Sequence, residues 1–403
     1  MAKSKNKIVF KRHKFWFVFY RPVVKFIALL KHYKAKGKFN MKKGESYVIL
    51  SNHQTDLDGL LTLLSFNRPA YGVVTDSFMS KGFVAKMFKH QLGLIPKKKG
   101  VLDIKANMDM VRCIHEGGSL LLFPEGNRTY AEYEFPFSEG FAKFVRFFKK
   151  PIVLFNIHGG CGVFPRFAKE RRKGPYYGEI KRVLEYEEYK DWSDDKLTEV
   201  IRDNLRVYDS ESGQLYKSDT RAEHIERMFF VCPKCGAIQT LNSEGNFVEC
   251  SNCGLKVEFT EDLHLRSDDK EFKYTKLIEW YNYQIRFIKD MKISGGKPIF
   301  IDHNVGLYRS KVGVKRKLLV KGDLVLSKDT ITFGDKVFNL SEIEIASPIS
   351  GTKFNFSTND DEYLVIGDDR FNPLKYVLMF HKLDTKMKQN NMDIYYTLDE
   401  REE

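Results

Sequence analysis

Tyr47-Val48-Ile49-Leu50-Ser51-Asn52-His53-Gln54-Thr55-Asp56-Leu57-Asp58-Gly59 is the stretch on which the reading of this chain turns. An apolar run (47–50) leads into a short polar loop, and Leu60-Leu61-Thr62-Leu63-Leu64 follows, which reads as strand, tight turn and helix. Thr55 with Asp58 three residues on resembles a capping box and predicts a helix starting at Asp56, with Asp58 in its first turn and His53 just before the cap. On one continuous helix His53 and Asp58 would lie about 140° apart. A bend at Thr55 instead lets the imidazole fold back, so that the Asp58 carboxylate accepts one ring N–H and the other nitrogen is left to take a proton. That is a base and its orienter without a nucleophile of their own, suited to activating a substrate hydroxyl. A capped helix with an incidental loop histidine explains these residues equally well when they are taken alone.

The chain has 403 residues, enough for two or three domains, and its 42% hydrophobic and 30% charged content is that of a globular protein. A net charge of +14 with 14% aromatic residues favours an anionic partner: a phospholipid surface, a nucleic acid or an acidic carrier. Basic residues crowd residues 1–40, where Lys3, Lys5, Lys7, Lys11, Arg12 and Lys14 precede Phe15-Trp16-Phe17-Val18-Phe19-Tyr20 and Arg21, Pro22 and Lys25 break up the apolar runs. No stretch there reaches the roughly 18 apolar residues of a spanning helix, and no small-residue cleavage site follows the charged start. The expectation is a basic amphipathic segment lying in the interface of an anionic bilayer, hence a peripheral membrane protein on the cytoplasmic face. Packing of that segment on the domain as a buried helix is the alternative.

From residue 41 to 215 strands and helices alternate. Strands are expected at 71–74, 119–123, 151–157 and 178–184, helices over 83–88 and 103–116, and a short extended piece at 92–96 running into Lys97-Lys98-Lys99-Gly100. The pattern predicts an α/β domain, a mixed sheet with flanking helices and site residues on loops at strand ends. His158 and Cys161 read as a strand-end histidine and a small buried cysteine rather than a reactive pair, and Cys113 as a core residue of its helix.

Phe123-Pro124-Glu125-Gly126-Asn127-Arg128, set beside Asn52-His53 with Asp58 five residues after the histidine, resembles the first and third motifs of the glycerolipid (PlsC-like) acyltransferase family, which makes phosphatidic acid from lysophosphatidic acid. The resemblance covers roughly residues 10–215. It implies that His53 is the general base on the acceptor hydroxyl, that Asp58 orients it, and that Glu125, Gly126 and Arg128 bind the acceptor. It also implies direct transfer of a fatty acyl group from acyl-CoA or acyl-carrier protein, most simply to 1-acyl-glycerol 3-phosphate. An arginine at the turn suits bidentate contact with a phosphate. Two departures stand out: the second motif has Lys97, Lys98 and Lys99 where an arginine is usual, lysines that can still bind the substrate phosphate as point charges, and Leu154-Phe155 stands where the fourth motif often has a second proline.

Cys232-Pro233-Lys234-Cys235-Gly236 and Cys250-Ser251-Asn252-Cys253-Gly254 place two C-x2-C knuckles fourteen residues apart. Four thiolates at this spacing predict a closed, structural Zn2+ site within a zinc ribbon over 228–258. Its strands carry no basic-aromatic surface, so nucleic acid is not expected as a partner. An aromatic-rich helical linker is expected over 267–293, packing on the ribbon in preference to touching membrane. Residues 298–385 read as hairpins (313–320, 322–326, 330–334, 337–345, 351–356, 363–366) closed by a helix near 373–383, a layout resembling a pleckstrin-homology-like or GRAM-like barrel, with Lys311, Lys315, Arg316 and Lys317 on a positive loop. Two alternatives to the enzyme remain: a non-catalytic lipid-binding scaffold on the same fold and, below it, a nucleic-acid-binding protein.

Overall fold

The computed structural model describes residues 7–75, 83–97, 103–132, 137–138, 140–310, 316–358 and 361–383. Lys98, Lys99, Lys311 and Lys315 therefore lie outside the described residues. The chain divides into two compact units, the first formed by residues up to Thr129 with Phe137–Cys161 and Pro175–Asp209, the second by the remainder.

The first unit is built on a seven-stranded mixed sheet of β1 (Tyr33–Lys36), β2 (Val48–Ser51), β3 (Ala70–Thr75), β4 (Ile95–Lys97), β5 (Ser119–Leu122), β6 (Ile152–His158) and β7 (Tyr176–Leu184), in the order β1-β7-β6-β2-β5-β3-β4. β6, β2, β5, β3 and β4 run parallel, and β7 is antiparallel to β6. β2 and β5 are buried along their whole length, which is why they read as unbroken apolar runs instead of alternating ones.

Helices α1 (Lys7–Leu30), α2 (Asp58–Thr62), α3 (Phe83–Leu92), α4 (Ile104–His115), α5 (Phe141–Phe147) and α6 (Asp194–Leu205) flank this sheet. On one face Met110 and Ile114 of α4, Val145 of α5 and Leu197 and Ile201 of α6 close over Val48, Leu50, Leu120 and Leu154. Both α4 and α6 begin at side-chain caps, Asp103 accepting from the Ala106 N–H and Ser193 from the Lys196 N–H.

β1 has no counterpart among the expected strands. Its polar sequence hides it, and only pairing with β7, Tyr33 opposite Tyr176 and Lys36 opposite Glu179, makes it a strand. The basic arm thus ends as an edge strand of the sheet. α1 is anchored on the first unit through Phe17 and Val24, through His13, whose ring lies 3.2 Å from both the Tyr71 hydroxyl and the His90 carbonyl, and through Arg21, which donates to the Phe66 and Leu64 carbonyls at 2.7 and 3.0 Å. Its other side leaves Phe15, Val18, Phe19, Val23, Phe26, Leu29 and Leu30 exposed. Pro22 sits within the helix and removes one hydrogen bond there. Among the described residues no helix is long and apolar enough to cross a membrane.

The second unit contains two antiparallel sheets. The first, ordered β11-β10-β9-β8, joins β8 (Leu241–Glu244), β9 (Phe247–Cys250), β10 (Lys256–Phe259) and β11 (Leu265–Arg266). α7 (Leu277–Asp290) packs beside it: Trp280 donates to the Val231 carbonyl at 3.0 Å and stacks on Phe229, while the buried Gln284 bonds both the Phe230 N–H and the Met228 carbonyl. Its aromatic residues serve packing.

The second sheet, ordered β15-β14-β13-β12-β18-β17-β16, joins β12 (Phe300–Arg309), β13 (Lys317–Leu326), β14 (Thr330–Phe333), β15 (Lys336–Asn339), β16 (Ile343–Ser350), β17 (Lys353–Thr358) and β18 (Glu362–Ile366), followed by α8 (Pro373–Leu383). The hairpins and closing helix are as expected, with three differences. β12 was not foreseen. β13 runs unbroken through Gly322, where a Cβ would meet the Cα of Gly334 at 3.3 Å, so this glycine marks a close backbone approach and not a turn. The expected strand at 337–345 is divided into β15 and β16 by a 3-10 turn at Leu340–Glu342. Among the described residues no pairing joins the edges β15 and β16, so the ladder itself is open.

Candidate functional site

The parallel strands β2 and β5 end side by side, and the residues just beyond them are bonded to one another. Asn52 extends the ladder past the end of β2 with its side chain: its amide nitrogen donates to the Ile157 carbonyl at 2.9 Å, and its oxygen accepts the Ile157 N–H at 2.8 Å. The amide thereby fixes where His53 leaves the sheet.

His53 is then held from three directions. Its backbone N–H donates to Glu125 Oε1 at 3.2 Å, its carbonyl accepts the Thr129 N–H at 2.9 Å, and its ring stacks on Phe123 with centroids 4.3 Å apart. Arg128 Nε donates to the Gln54 carbonyl at 3.1 Å, and Gly126, at φ +64°, allows the turn that brings 125 and 128 to the same loop. The structure thus brings His53 and Asp58 together with Glu125, Gly126 and Arg128 from a distant part of the sequence.

The helix after this loop starts at Asp58, later than the capping-box reading placed it, with Leu57 at its N-cap and no side-chain cap. Half of the box survives: Asp58 Oδ2 accepts the N–H of Thr55 at 2.7 Å and of Gln54 at 2.6 Å. The same oxygen lies 3.0 Å from His53 Nδ1, the contact the bend at Thr55 was expected to permit. Asp58 is fully buried while the His53 side chain is 23% exposed, so Nδ1 faces an inaccessible carboxylate and Nε2 points the other way. This arrangement fixes the tautomer with the proton on Nδ1 and leaves Nε2 able to take a proton from a bound hydroxyl.

Gln54 and Asp209 occupy the N–H groups at the end of β6. Gln54 Oε1 accepts from Gly160 at 2.9 Å, and Asp209 accepts from Gly159 at 2.6 Å and Cys161 at 3.0 Å. These donors are committed to the scaffold. His158 is engaged with Glu179 at 3.2 Å and stacked on Tyr177. Burial pushes the Cys113 thiol up to about 12, which keeps it protonated and inert. Lys97 ends β4, three strands from β2 and so about 14 Å across the sheet from it; burial lowers its pKa from the ordinary lysine range.

Phe123, Asn52 and Gln54 stand in the quoted motifs, but nothing in the sequence gave them these contacts. Tyr176, whose hydroxyl lies 2.9 Å from Thr55 Oγ1 and 3.4 Å from Asp58 Oδ1, carried no signal at all, being more than a hundred residues away on another strand.

In the second unit the Sγ atoms of Cys232, Cys235, Cys250 and Cys253 all lie within 4.8 Å of one another. Cys232 and Cys253 are 3.7 Å apart and Cys235 and Cys250 3.8 Å; ligands about 2.3 Å from a tetrahedral zinc sit about 3.8 Å apart. Gly236 and Gly254 take φ of +69° and +72°, and each N–H returns to the carbonyl of the first cysteine of its knuckle at 2.9 Å. Asn252 donates to Cys235 Sγ at 3.4 Å, and Thr240 Oγ1 lies 3.2 Å from Cys250 Sγ. The donor set fits a metal ion such as zinc, with all four positions supplied by protein.

No curated protein matches the chain. Among solved structures it is similar to the 1-acyl-sn-glycerophosphate (LPA) acyltransferase PlsC from Thermotoga maritima, with 14% sequence identity, coverage of 51% of this chain and 82% of that one, and a TM-score of 0.41. The family model described as Acyltransferase matches residues 32–157. The matched segment holds both the His53–Asp58 pair and the 123–128 turn.

Proposed function

We propose that this protein is a peripheral membrane O-acyltransferase that moves a fatty acyl group from acyl-CoA or acyl-carrier protein to the free hydroxyl of a lysophospholipid, with 1-acyl-glycerol 3-phosphate the first candidate. The observation that carries the reading is the 3.0 Å contact between His53 Nδ1 and a buried Asp58, with the His53 backbone clamped by the 123–129 turn.

His53 Nε2 removes the proton of the acceptor hydroxyl as its oxygen attacks the thioester carbonyl. The tetrahedral intermediate collapses, the C–S bond breaks, and the departing thiolate takes the proton from the imidazolium. Asp58 holds the ring and balances the imidazolium charge. Glu125 and Gly126 shape the acceptor site, and the Arg128 guanidinium supplies donors for a phosphate, with Lys97 and the neighbouring Lys98 and Lys99 adding positive charge. The remaining acceleration comes from holding the two lipids together.

The exposed apolar side of α1, flanked by Lys14 and Lys25, suits an anionic bilayer at the cytoplasmic face. β1 follows α1 and begins opposite Tyr176, next to the residue paired with His158 at the end of β6. The C-terminal end of α1 therefore lies at the same end of the strands as His53, which suits delivery of a lipid from the bilayer to that end of the sheet. In the second unit Cys232, Cys235, Cys250 and Cys253 would hold a structural Zn2+, which supplies folding free energy and no chemistry to acyl transfer. The second sheet and α8 are read as a pleckstrin-homology-like docking domain.

The test is an assay of purified protein with both donor types across lysophospholipid headgroups presented in vesicles. Donor-dependent acylation of lysophosphatidic acid supports the reading; vesicle binding without turnover on any pair would leave a lipid-binding scaffold in its place.

A further inference from the structure

Asp58 has more partners than a base-orienting carboxylate requires. Oδ2 receives Gln54 N–H, Thr55 N–H and His53 Nδ1, while Oδ1 lies 2.5 Å from Thr55 Oγ1 and 3.4 Å from the Tyr176 hydroxyl. The carboxylate can only accept, so the Thr55 hydroxyl spends its single proton on Asp58. The 2.9 Å contact between Tyr176 and Thr55 must then be donated by Tyr176. The result is a directed chain, Tyr176 O–H to Thr55 O–H to Asp58, in which the first bond polarises the second and the same carboxylate accepts the His53 Nδ1–H on its other oxygen. Thr55 and Asp58 are fully buried and Tyr176 is almost so, and the tyrosine ring is fixed edge-on against Tyr33 with centroids 4.9 Å apart. Burial, with the Asp58 charge, raises the Tyr33 pKa well above the usual tyrosine range, so no second anion forms beside the carboxylate.

We propose that Tyr176 and Thr55 are positioning residues for the base: they set both the geometry and the charge balance of Asp58, and through it the protonation of His53. This rests on the acyl-transfer reading, and it makes β7 part of the catalytic framework although residue 176 lies beyond the segment matched to the acyltransferase family. The groups facing the His53–Asp58 pair are Glu125 and Arg128 from the turn after β5, Tyr176 from β7 and Tyr33 from β1. Of these, Tyr176 is the one whose hydroxyl reaches both Thr55 and Asp58.

The test compares Tyr176→Phe, Thr55→Val and Thr55→Ser with wild type. Tyr176→Phe should lower kcat about ten-fold with KM unchanged and Thr55→Val about a hundred-fold, while Thr55→Ser, which keeps the hydroxyl, should stay within about three-fold. A carboxylate with fewer donors holds the imidazolium more firmly, so the acidic limb of the kcat/KM profile should move up by about half a pH unit in Tyr176→Phe. A readout independent of activity is the NMR of the His53 ring, in which wild type should show one tautomer with a slowly exchanging Nδ1 proton, and Tyr176→Phe slower exchange still, because the remaining bond to Asp58 is strengthened. Unchanged pH limb and proton exchange in a folded Tyr176→Phe protein would overturn the positioning role and leave the acyltransferase reading standing. Absence of acyl transfer in wild type would remove that reading, while the ring proton would still report on the chain of hydroxyls.

Discussion

Asp58→Asn isolates charge from shape. The side chain is isosteric, and the two backbone N–H groups at 2.6 and 2.7 Å require an oxygen at the Oδ2 position, so the amide will orient with its oxygen toward Gln54, Thr55 and His53. His53 keeps its tautomer and its place. What disappears is the negative charge beside the imidazolium formed during transfer, together with the acceptor at the Oδ1 position, where the amide N–H now donates to the Thr55 hydroxyl instead of accepting from it. Unit charges about 4 Å apart at an effective dielectric of about 20 interact by about 4 kcal/mol. Because the His53 side chain is 23% exposed, water screens part of this, and about 2–4 kcal/mol is the working range. In rate that is about 30- to 1,000-fold, expected in kcat with KM for both substrates little changed. The assay is steady-state thiol release with lysophosphatidic acid vesicles, alongside denaturant unfolding, because loss of charge-assisted bonds to a buried oxygen is expected to cost about 1–3 kcal/mol of stability. A folded Asp58→Asn protein that keeps more than half the wild-type kcat would refute the assignment of Asp58 as the charge partner, and a change confined to KM would move it to substrate binding.

Other consequences are as direct. Asn52→Leu removes both bonds to Ile157 and leaves that buried backbone pair unsatisfied; a loss of about 2–4 kcal/mol in unfolding free energy is expected, together with reduced kcat, and an unchanged unfolding midpoint would contradict the ladder role. Zinc analysis should find one ion per chain, and Cys235→Ser or strong chelation should lower the melting temperature of the second unit while His53-dependent chemistry in the first persists; a metal-free wild type of equal stability would count against the site. Phe19→Asp with Phe26→Asp should weaken pelleting with anionic vesicles at least ten-fold without changing the unfolding midpoint, whereas undiminished binding would remove α1 as the contact. Burial holds His158 below its ordinary value of 6.5, so on acidification the unfolded chain takes up that proton first. The contribution is complete above 6.5 and lost as pH falls through the lower folded value. His158→Gln should therefore flatten the fall in stability below about pH 6.5, and an unaltered slope would show that His158 does not drive it.

How legible this was from the sequence depended on where each interaction lies along the chain. β2, β5 and β6 announce themselves because parallel strands buried on both faces must be apolar throughout, and the His53–Asp58 contact was readable because five residues and one bend decide it. The cysteine knuckles were readable for the same local reason. β1 was not, since Tyr33-Lys34-Ala35-Lys36 becomes a strand only against β7. The start of α2 was displaced because Asp58 spends its side chain on His53, Gln54 and Thr55 and so draws the chain into a turn before the helix. Tyr176 stayed invisible for a similar reason: its role exists only once β7 is laid beside β6, an antiparallel pairing that no local pattern specifies.

The proposed transfer of the acceptor proton to His53 Nε2 is tested by single-turnover acyl transfer by His53→Gln beside wild type, with folding checked by circular dichroism. Wild type is expected to release thiol and acylate the lysophospholipid in equal amounts while the folded variant is slower by about 10³-fold or more. Transfer by His53→Gln at a rate near that of wild type would contradict that proposal.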